Sequence, residues 1–442
     1  MTVERSEHPS RQKISILVAA SLTLPGVVLR LSAAHPEPVA GAALFGLSIV
    51  ASAFLLSWAA EVAQLDISRG LALAALAFIA VLPEYAVDLV FSWKAGHDPS
   101  QAPLALANMT GANRLLIGVG WSMVVLLAAW RFKRVGIRSS EVALERSHSV
   151  EIAFLALATG YSLSIPFRRT LSLVDAAVLV SIFIAYLIRI ARAPAEEPHL
   201  VGPAQLLGSL SVARRRAAVL GIFAFAAGVI LACAEPFAEA LVEAGESLGV
   251  DSFLLVQWLA PLASEAPELV IAGLFAWRLN SNAGLGALVS SKVNQWTLLV
   301  GTIPIVYAIS SGSLHGLPID GMQREELLLT AAQSLFAVAV ILNRRLSMRE
   351  ALTLLGLFVV QFTLGVVLPE GIHDEVRIGT SIIYLFLAAG MLVANRGALP
   401  KLFRDGFRTP IEQLADPGFA RGPAEAAGTP GSARAGEPQS GS

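Results

Sequence analysis

Long apolar stretches separated by short polar ones recur along the whole chain. Twelve are long enough, or nearly so, to cross a bilayer: about 14–33, 39–61, 70–93, 103–129, 149–166, 171–190, 217–241, 252–277, 283–309, 325–342, 350–368 and 377–395. Crossing takes about 20 helical residues at a rise of about 1.5 Å each, and the stretches at 149, 325 and 350 are the shortest. Only a helix or a closed barrel satisfies its own backbone in lipid, so the pattern predicts an all-α polytopic membrane protein. The first stretch follows Arg5, Arg11 and Lys13 and is long, with no convincing small-residue cleavage pattern. It reads as an anchor that is retained as the first span.

Charge gives the spans a direction. With the N-terminus inside, the inner loops receive Arg5, Arg11, Lys13, Arg69, Arg278 and the clusters 131–146, 189–216, 344–349 and 396–404, whereas the outer loops keep only Lys94, Arg168, Arg169, Arg324 and Arg377. That is roughly a fourfold bias, in the sense of the positive-inside rule. Both termini are therefore expected in the cytoplasm, with the chain an integral protein of a bacterial inner membrane. Composition agrees: 55% of the 442 residues are hydrophobic and 15% charged, against about a quarter charged in soluble domains. The net charge of −1 offers nothing to a nucleic acid. The single cysteine, Cys233, lies in an apolar stretch and reads as a core residue.

The segment 191–216, with Pro194, Pro198 and Pro203, reads as a cytoplasmic linker between two halves, 1–190 and 217–400. The tail 409–442 is rich in Gly, Pro, Ala and Ser and is expected to be disordered. The halves repeat one another. Residues 83–94, PEYAVDLVFSWK, align at an offset of 184 with 267–278, PELVIAGLFAWR. At an offset of 181, Asn113 meets Asn294 and Val119-Gly120 meets Val300-Gly301. The repeats, about 70–129 and 252–309, begin five spans apart, so they cross in opposite senses. Inverted repeats of this kind build many secondary transporters around a midplane site. Trp93-Lys94 and Trp277-Arg278 end their spans and read as interfacial anchors.

Pro83-Glu84 and Pro267-Glu268 fall within spans. A proline there frees the carbonyl four residues earlier, here Ile79 and Ala263. A carboxylate at that depth costs several kcal/mol unless it is paired or bound to a cation. Two symmetry-related glutamates beside freed carbonyls suit a hard cation; the plainer alternative is two protonated glutamates bonded to neighbouring helices.

A Pro-Glu pair in a broken helix, followed by an Asn-rich, Gly-containing helix, resembles the alpha-repeat of the calcium:cation antiporter superfamily, in its bacterial sodium/calcium exchanger type. The residues are AVLPE at 80–84 and ANMTGAN at 107–113, then SEAPE at 264–268 and VSSKVN at 289–294. The resemblance implies ten core helices, to which this chain adds one at each end, and a cation site with Glu84 and Glu268 as charged ligands. Asn108, Asn113 and Asn294 would add amide oxygens and Ser264 a hydroxyl; Ser290, one turn before Asn294, is a further candidate. The departures are Ala80 and Val81 in place of hydroxyl residues, Val289 opposite Asn108, and Lys292 opposite Gly111. Arg114 adds a second positive charge, while Asp88 and Glu265 add acids on the same helical faces as Glu84 and Glu268. Lys292, Asp88, Glu265 and Arg114 are thus charge-compensating or proton-coupling candidates, and with all six ionised the cluster would carry −2. Lys292 either exchanges a proton as a cation binds and leaves, or is a fixed salt-bridge partner of Glu268 or Glu265.

The seven histidines fall in loops, at termini or at span edges, and no phosphate-binding glycine loop precedes a Lys-Ser or Lys-Thr. The expected function is alternating-access antiport of Ca²⁺ or Na⁺ against Na⁺ or H⁺, with no catalytic residue and no cofactor beyond the transported cation. The partners are the lipid bilayer, inorganic cations and protons. A transport-dead protein with a structural or regulatory role is the alternative; the oligomeric state is left open.

Overall fold

The computed structural model describes residues 9–414 apart from 33, 35, 67–81, 138, 193–199 and 201. The helices are α1 (Pro9–Leu22), α2 (Leu24–Ser32), α3 (Pro38–Ala63), α4 (Leu82–His97), α5 (Ala102–Leu115), α6 (Ser122–Arg134), α7 (Ser149–Ser162), α8 (Leu173–Ile190) and α9 (Pro203–Gly208). There follow α10 (Val212–Leu248), α11 (Ser252–Trp277), α12 (Ser281–Asn294), α13 (Val300–Ser311), α14 (Gly321–Val340), α15 (Met348–Val367), α16 (His373–Ala394) and α17 (Leu399–Phe407). Eleven apolar helical segments are long enough to cross a membrane among the described residues. The remaining expected span, the third, is represented by α4; its first part lies outside the described residues, as do Ile79, Ala80 and Val81.

Local chemistry sets several helix starts. Ser172, Asp320 and Ser347 each form a reciprocal capping box, with Asp175, Gln323 and Glu350. Pro38 opens α3 behind Glu37, whose carboxylate accepts from the Ala40 N–H at 3.1 Å. Outward faces carry bare apolar side chains such as Phe386, Val367 and Leu220, while α14 is buried for most of its length, as expected of a bundle whose rim is solvated by lipid.

Two small antiparallel pairs tie the halves together. β1 (Glu141–Ala143) pairs with β4 (Arg345–Ser347), and β2 (Thr170–Leu171) with β3 (Leu317–Pro318). The charge bias assigns the first two loops to one face and the second two to the other, so both pairings fit the alternation of spans. Ion pairs obey the same parity: Asp66–Arg215 at 2.6 Å, Arg146–Asp405 at 2.7 Å, Lys94–Glu239 at 2.7 Å and Arg377–Glu325 at 2.9 Å.

α11 packs on α5, α4 on α13, and α12 on α11, so the two repeats interlock at the centre. α1, α2, α3 and α10 form a flanking bundle. α11 stays helical through Pro261 and Pro267; its interruption consists of freed carbonyls and not of an unwound segment. One of these, the Gln257 carbonyl freed by Pro261, lies where a Cβ on Gly111 would come within 1.7 Å. Only glycine lets α5 approach α11 this closely.

The linker and the tail gain detail. The linker is partly built: α9 forms within 191–216 and packs on α3 and α1, with Ala204 and Leu207 buried. The tail is ordered at its start, where Ile411 and Leu414 are buried; residues 415–442 lie outside the described set.

Candidate cation site

α4 places Glu84 in its first turn, buried; among the described residues no amide, hydroxyl or ammonium reaches its carboxylate oxygens, and the Glu265 carboxyl lies against them. The charged groups that act on it are Asp88, Glu265, Glu268 and Lys292. The site therefore draws on both repeats. Glu268, on α11, is half-buried beside Glu265 and Ser291. Asp88 accepts at 2.7 Å from the Asn108 amide on α5, and Glu265 accepts at 2.6 Å from the Gln295 amide that follows α12. In each repeat an amide thus holds one oxygen of the added acid. The second oxygen of Asp88, Oδ2, is buried with no hydrogen-bond partner among the described residues, and so are Asn108 Oδ1 and Gln295 Oε1, while the Glu265 carboxyl also meets that of Glu84. Unsatisfied buried acceptors cost free energy that a cation would recover.

Lys292 is fully buried. Its ammonium donates to the side-chain oxygen of Asn113, donates at 3.3 Å to the Asn113 carbonyl, and lies 4.6 Å from the centre of the Trp296 ring. Among the described residues no carboxylate lies within salt-bridge distance of it. The expected alternative of a salt bridge to Glu268 or Glu265 is thereby corrected: Lys292 is held by neutral oxygens and an aromatic face, near the carboxylates but not bonded to them.

Arg114 is paired away from the cluster. It is buried and paired at 2.6 Å with Glu326 of α14, with its guanidinium 5.0 Å from the Trp258 ring. Gln257 donates to the same carboxylate at 3.0 Å, and Arg377 of α16 approaches it at 3.9 Å. Its charge answers Glu326, and among the described residues Lys292 is the positive group that acts on Glu84 and Glu265. The signal for Glu326 was in the sequence: an acid inside an apolar helix. Starting the span at 325 made it look like a border residue.

The remaining candidates divide. Asn294 accepts from the Tyr85 hydroxyl at 3.3 Å across the repeats. Ser264 donates to Ala260 and Pro261 carbonyls of its own helix, at 3.2 and 3.3 Å. The Ser290 hydroxyl meets the Tyr186 hydroxyl of α8 at 3.1 Å. No three His, Cys, Asp or Glu side chains among the described residues converge into a metal site of their own.

The sequence reading missed the backbone between the asparagines and the conserved-offset valines. Leu116–Trp121 and Gln295–Leu299 are π-helical turns, placed just after Asn113 and Asn294. Such turns often mark functional positions, and two at corresponding places repeat the pseudo-symmetry in the main chain.

Two inverted repeats, a buried carboxylate cluster between them and unpartnered oxygens at membrane depth define a secondary transporter for cations. The chain matches the family model for sodium/calcium exchanger protein over residues 38–191 and 218–367, and it belongs to that family. It is a secondary active cation transporter of the sodium/calcium exchanger type, integral to a membrane. The crystal structure of the H⁺/Ca²⁺ exchanger CAX is 44% identical, over 91% of this chain and 99% of that one, with a TM-score of 0.84. That of the selenium-substituted Ca²⁺/H⁺ antiporter protein YfkE is 17% identical, over 84% and 99%, with a TM-score of 0.58, a likeness of fold. No curated protein matches the chain. The helices 9–32 and 373–394 lie outside the matched segments.

Proposed function

We propose that the protein exchanges Ca²⁺ against H⁺ across a bacterial inner membrane, with both termini in the cytoplasm and the Lys94 face outside. Glu84 and Glu268 carry the cation charge, and Asn113, Asn294, Ser264 and main-chain oxygens complete its shell. The halves 1–190 and 217–400, joined by 191–216, rock about this centre. The observation that carries the reading is Glu84: a buried carboxylate that no amide, hydroxyl or ammonium among the described residues reaches, beside three other acids and one lysine.

Four carboxylates cannot all remain ionised in a dry site. When Ca²⁺ leaves, protons take its place, shared among the paired acids, and the neutralised site can return through the low-dielectric interior. Lys292, held by Asn113, is close enough to the acids to release a proton as Ca²⁺ arrives and regain it as Ca²⁺ departs. The CAX structure, an H⁺/Ca²⁺ exchanger at 44% identity, favours protons over sodium as counter-ion.

The test is ⁴⁵Ca²⁺ uptake into proteoliposomes of the full chain under an imposed pH gradient or an imposed Na⁺ gradient. Uptake driven by the pH gradient alone is expected. Uptake that requires the Na⁺ gradient would make sodium the counter-ion and remove the proton role of Lys292.

A further inference from the structure

The repeats differ along one line. On α4, Glu84, Asp88 and Ser92 follow one another at four-residue spacing and share a face, and all are buried. At the offset of 184, the positions after Glu268 on α11 are Ala272 and Ala276. Asn108, which donates to Asp88 at 2.7 Å, is matched at the offset of 181 by Val289. The polar trio Asp88, Asn108 and Ser92 therefore answers to an apolar trio in the other repeat. Because the repeats are inverted, the polar branch runs from the midplane toward the Lys94 face, and its apolar counterpart runs toward the other.

The branch is unsatisfied. Among the described residues Asp88 Oδ2, Asn108 Oδ1 and Ser92 Oγ are buried with no hydrogen-bond partner, although Asp88 and Asn108 already face each other. A structural polar cluster would close on itself. These atoms are an anionic carboxylate oxygen, an amide oxygen and a hydroxyl, the ligand set of a hard cation. Phe91 and Lys94, neighbours of Ser92, line an open cleft of about 460 Å³ that also holds Asp98, Glu239 and Glu243. An acidic cleft beside the end of the branch gathers cations at that face, next to the buried trio.

We propose that Asp88, Asn108 and Ser92 form a second, weaker position for a divalent cation, one helical turn from Glu84 toward the Lys94 face, through which the ion passes on that side only. This rests on the midplane reading of Glu84 and Glu268. One carboxylate with two neutral oxygens suits a staging position: attractive enough to strip the ion's water, too weak to hold it against the midplane acids. Mutual repulsion makes the two positions alternative and not simultaneous, because two divalent ions about 6 Å apart repel strongly at any protein dielectric.

The test is sided Ca²⁺ transport by the full-length protein in oriented proteoliposomes, with Asp88→Asn and with the pair Asp88→Ala and Asn108→Val, which installs the other repeat's residues. Half-saturating Ca²⁺ supplied at the Lys94 face is expected to rise about tenfold, while that at the opposite face stays within about twofold and the maximal rate of release to the Lys94 face falls. Asp88→Glu, which keeps the carboxylate, is expected to restore most of the loss. Equal changes at both faces, loss of transport from both in folded protein, or no change at either would overturn the staging position. Absence of Ca²⁺ transport in the wild type would instead sink the midplane reading on which it rests.

Discussion

Lys292 of one repeat reaches across to Asn113 of the other and donates to both its side-chain and its main-chain oxygen. The contact joins α12 to α5 at the point where each helix passes into its π-helical turn. A change in the charge of Lys292 is therefore felt at the most irregular backbone of the core. Replacing it with Gln should remove the positive charge that acts on Glu84 and Glu265. At an effective dielectric of about 20, one charge about 6 Å away is worth about 3 kcal/mol. Ca²⁺ binding is expected to tighten at least tenfold and to lose part of its pH dependence, checked by ⁴⁵Ca²⁺ binding between pH 6 and 8. Unchanged affinity and pH profile would make Lys292 a packing residue.

Arg114 and Glu326 form a buried pair whose side chains are 1% and 7% exposed. Removing one partner strands the other. Glu326→Gln is expected to cost roughly 3–5 kcal/mol, read as a fall in the thermal midpoint of the detergent-solubilised protein. Replacing both, Arg114→Met with Glu326→Leu, should recover most of it. A double replacement as unstable as the single one would show that the charges matter beyond their mutual pairing.

Gly111 allows no side chain: the Cβ of alanine would meet the Gln257 carbonyl, a main-chain atom that cannot swing aside. Gly111→Ala is expected to part α5 from α11 and abolish transport, with faster proteolysis in detergent as the independent readout. Wild-type flux in this variant would contradict the close helix contact.

The N-terminal end of α7 is clasped by α17 through Arg146 and Asp405, two hydrogen bonds at 2.7 and 2.8 Å. This bonding holds the Asp405 carboxyl below its usual range. A depressed folded-state value means that the stabilisation is complete above the unfolded value, about pH 4, and is lost as pH falls through the folded one. Proteolytic release of the C-terminal segment should thus be slow at pH 7 and accelerate below about pH 4. Asp405→Asn should be released quickly at both.

Much of this was legible in the sequence because apolar length and loop charge are one-dimensional signals. The span 252–277 coincides with α11, and the repeat offsets bring Glu84, Glu268, Asn113 and Asn294 into one core. Partnership was not legible. Arg114 stands beside Asn113 in sequence, yet a helix turns neighbours about 100° apart, and it faces Glu326. Ser290 shares a helical face with Asn294 but finds Tyr186 first. The prolines marked 191–216 as a linker but did not show that Pro203 opens α9 within it. Pro267 predicted a break, and neighbouring helices keep α11 helical through it.

The central claim is that the two symmetry-related glutamates carry the exchanged charge. It is tested most directly by recording internal pH in proteoliposomes while Ca²⁺ is added outside, for the wild type and for Glu84→Gln and Glu268→Gln, each verified as folded by its elution profile. Ca²⁺-driven proton efflux in the wild type, absent in both variants, is the predicted result. Wild-type proton efflux in either variant would contradict the account.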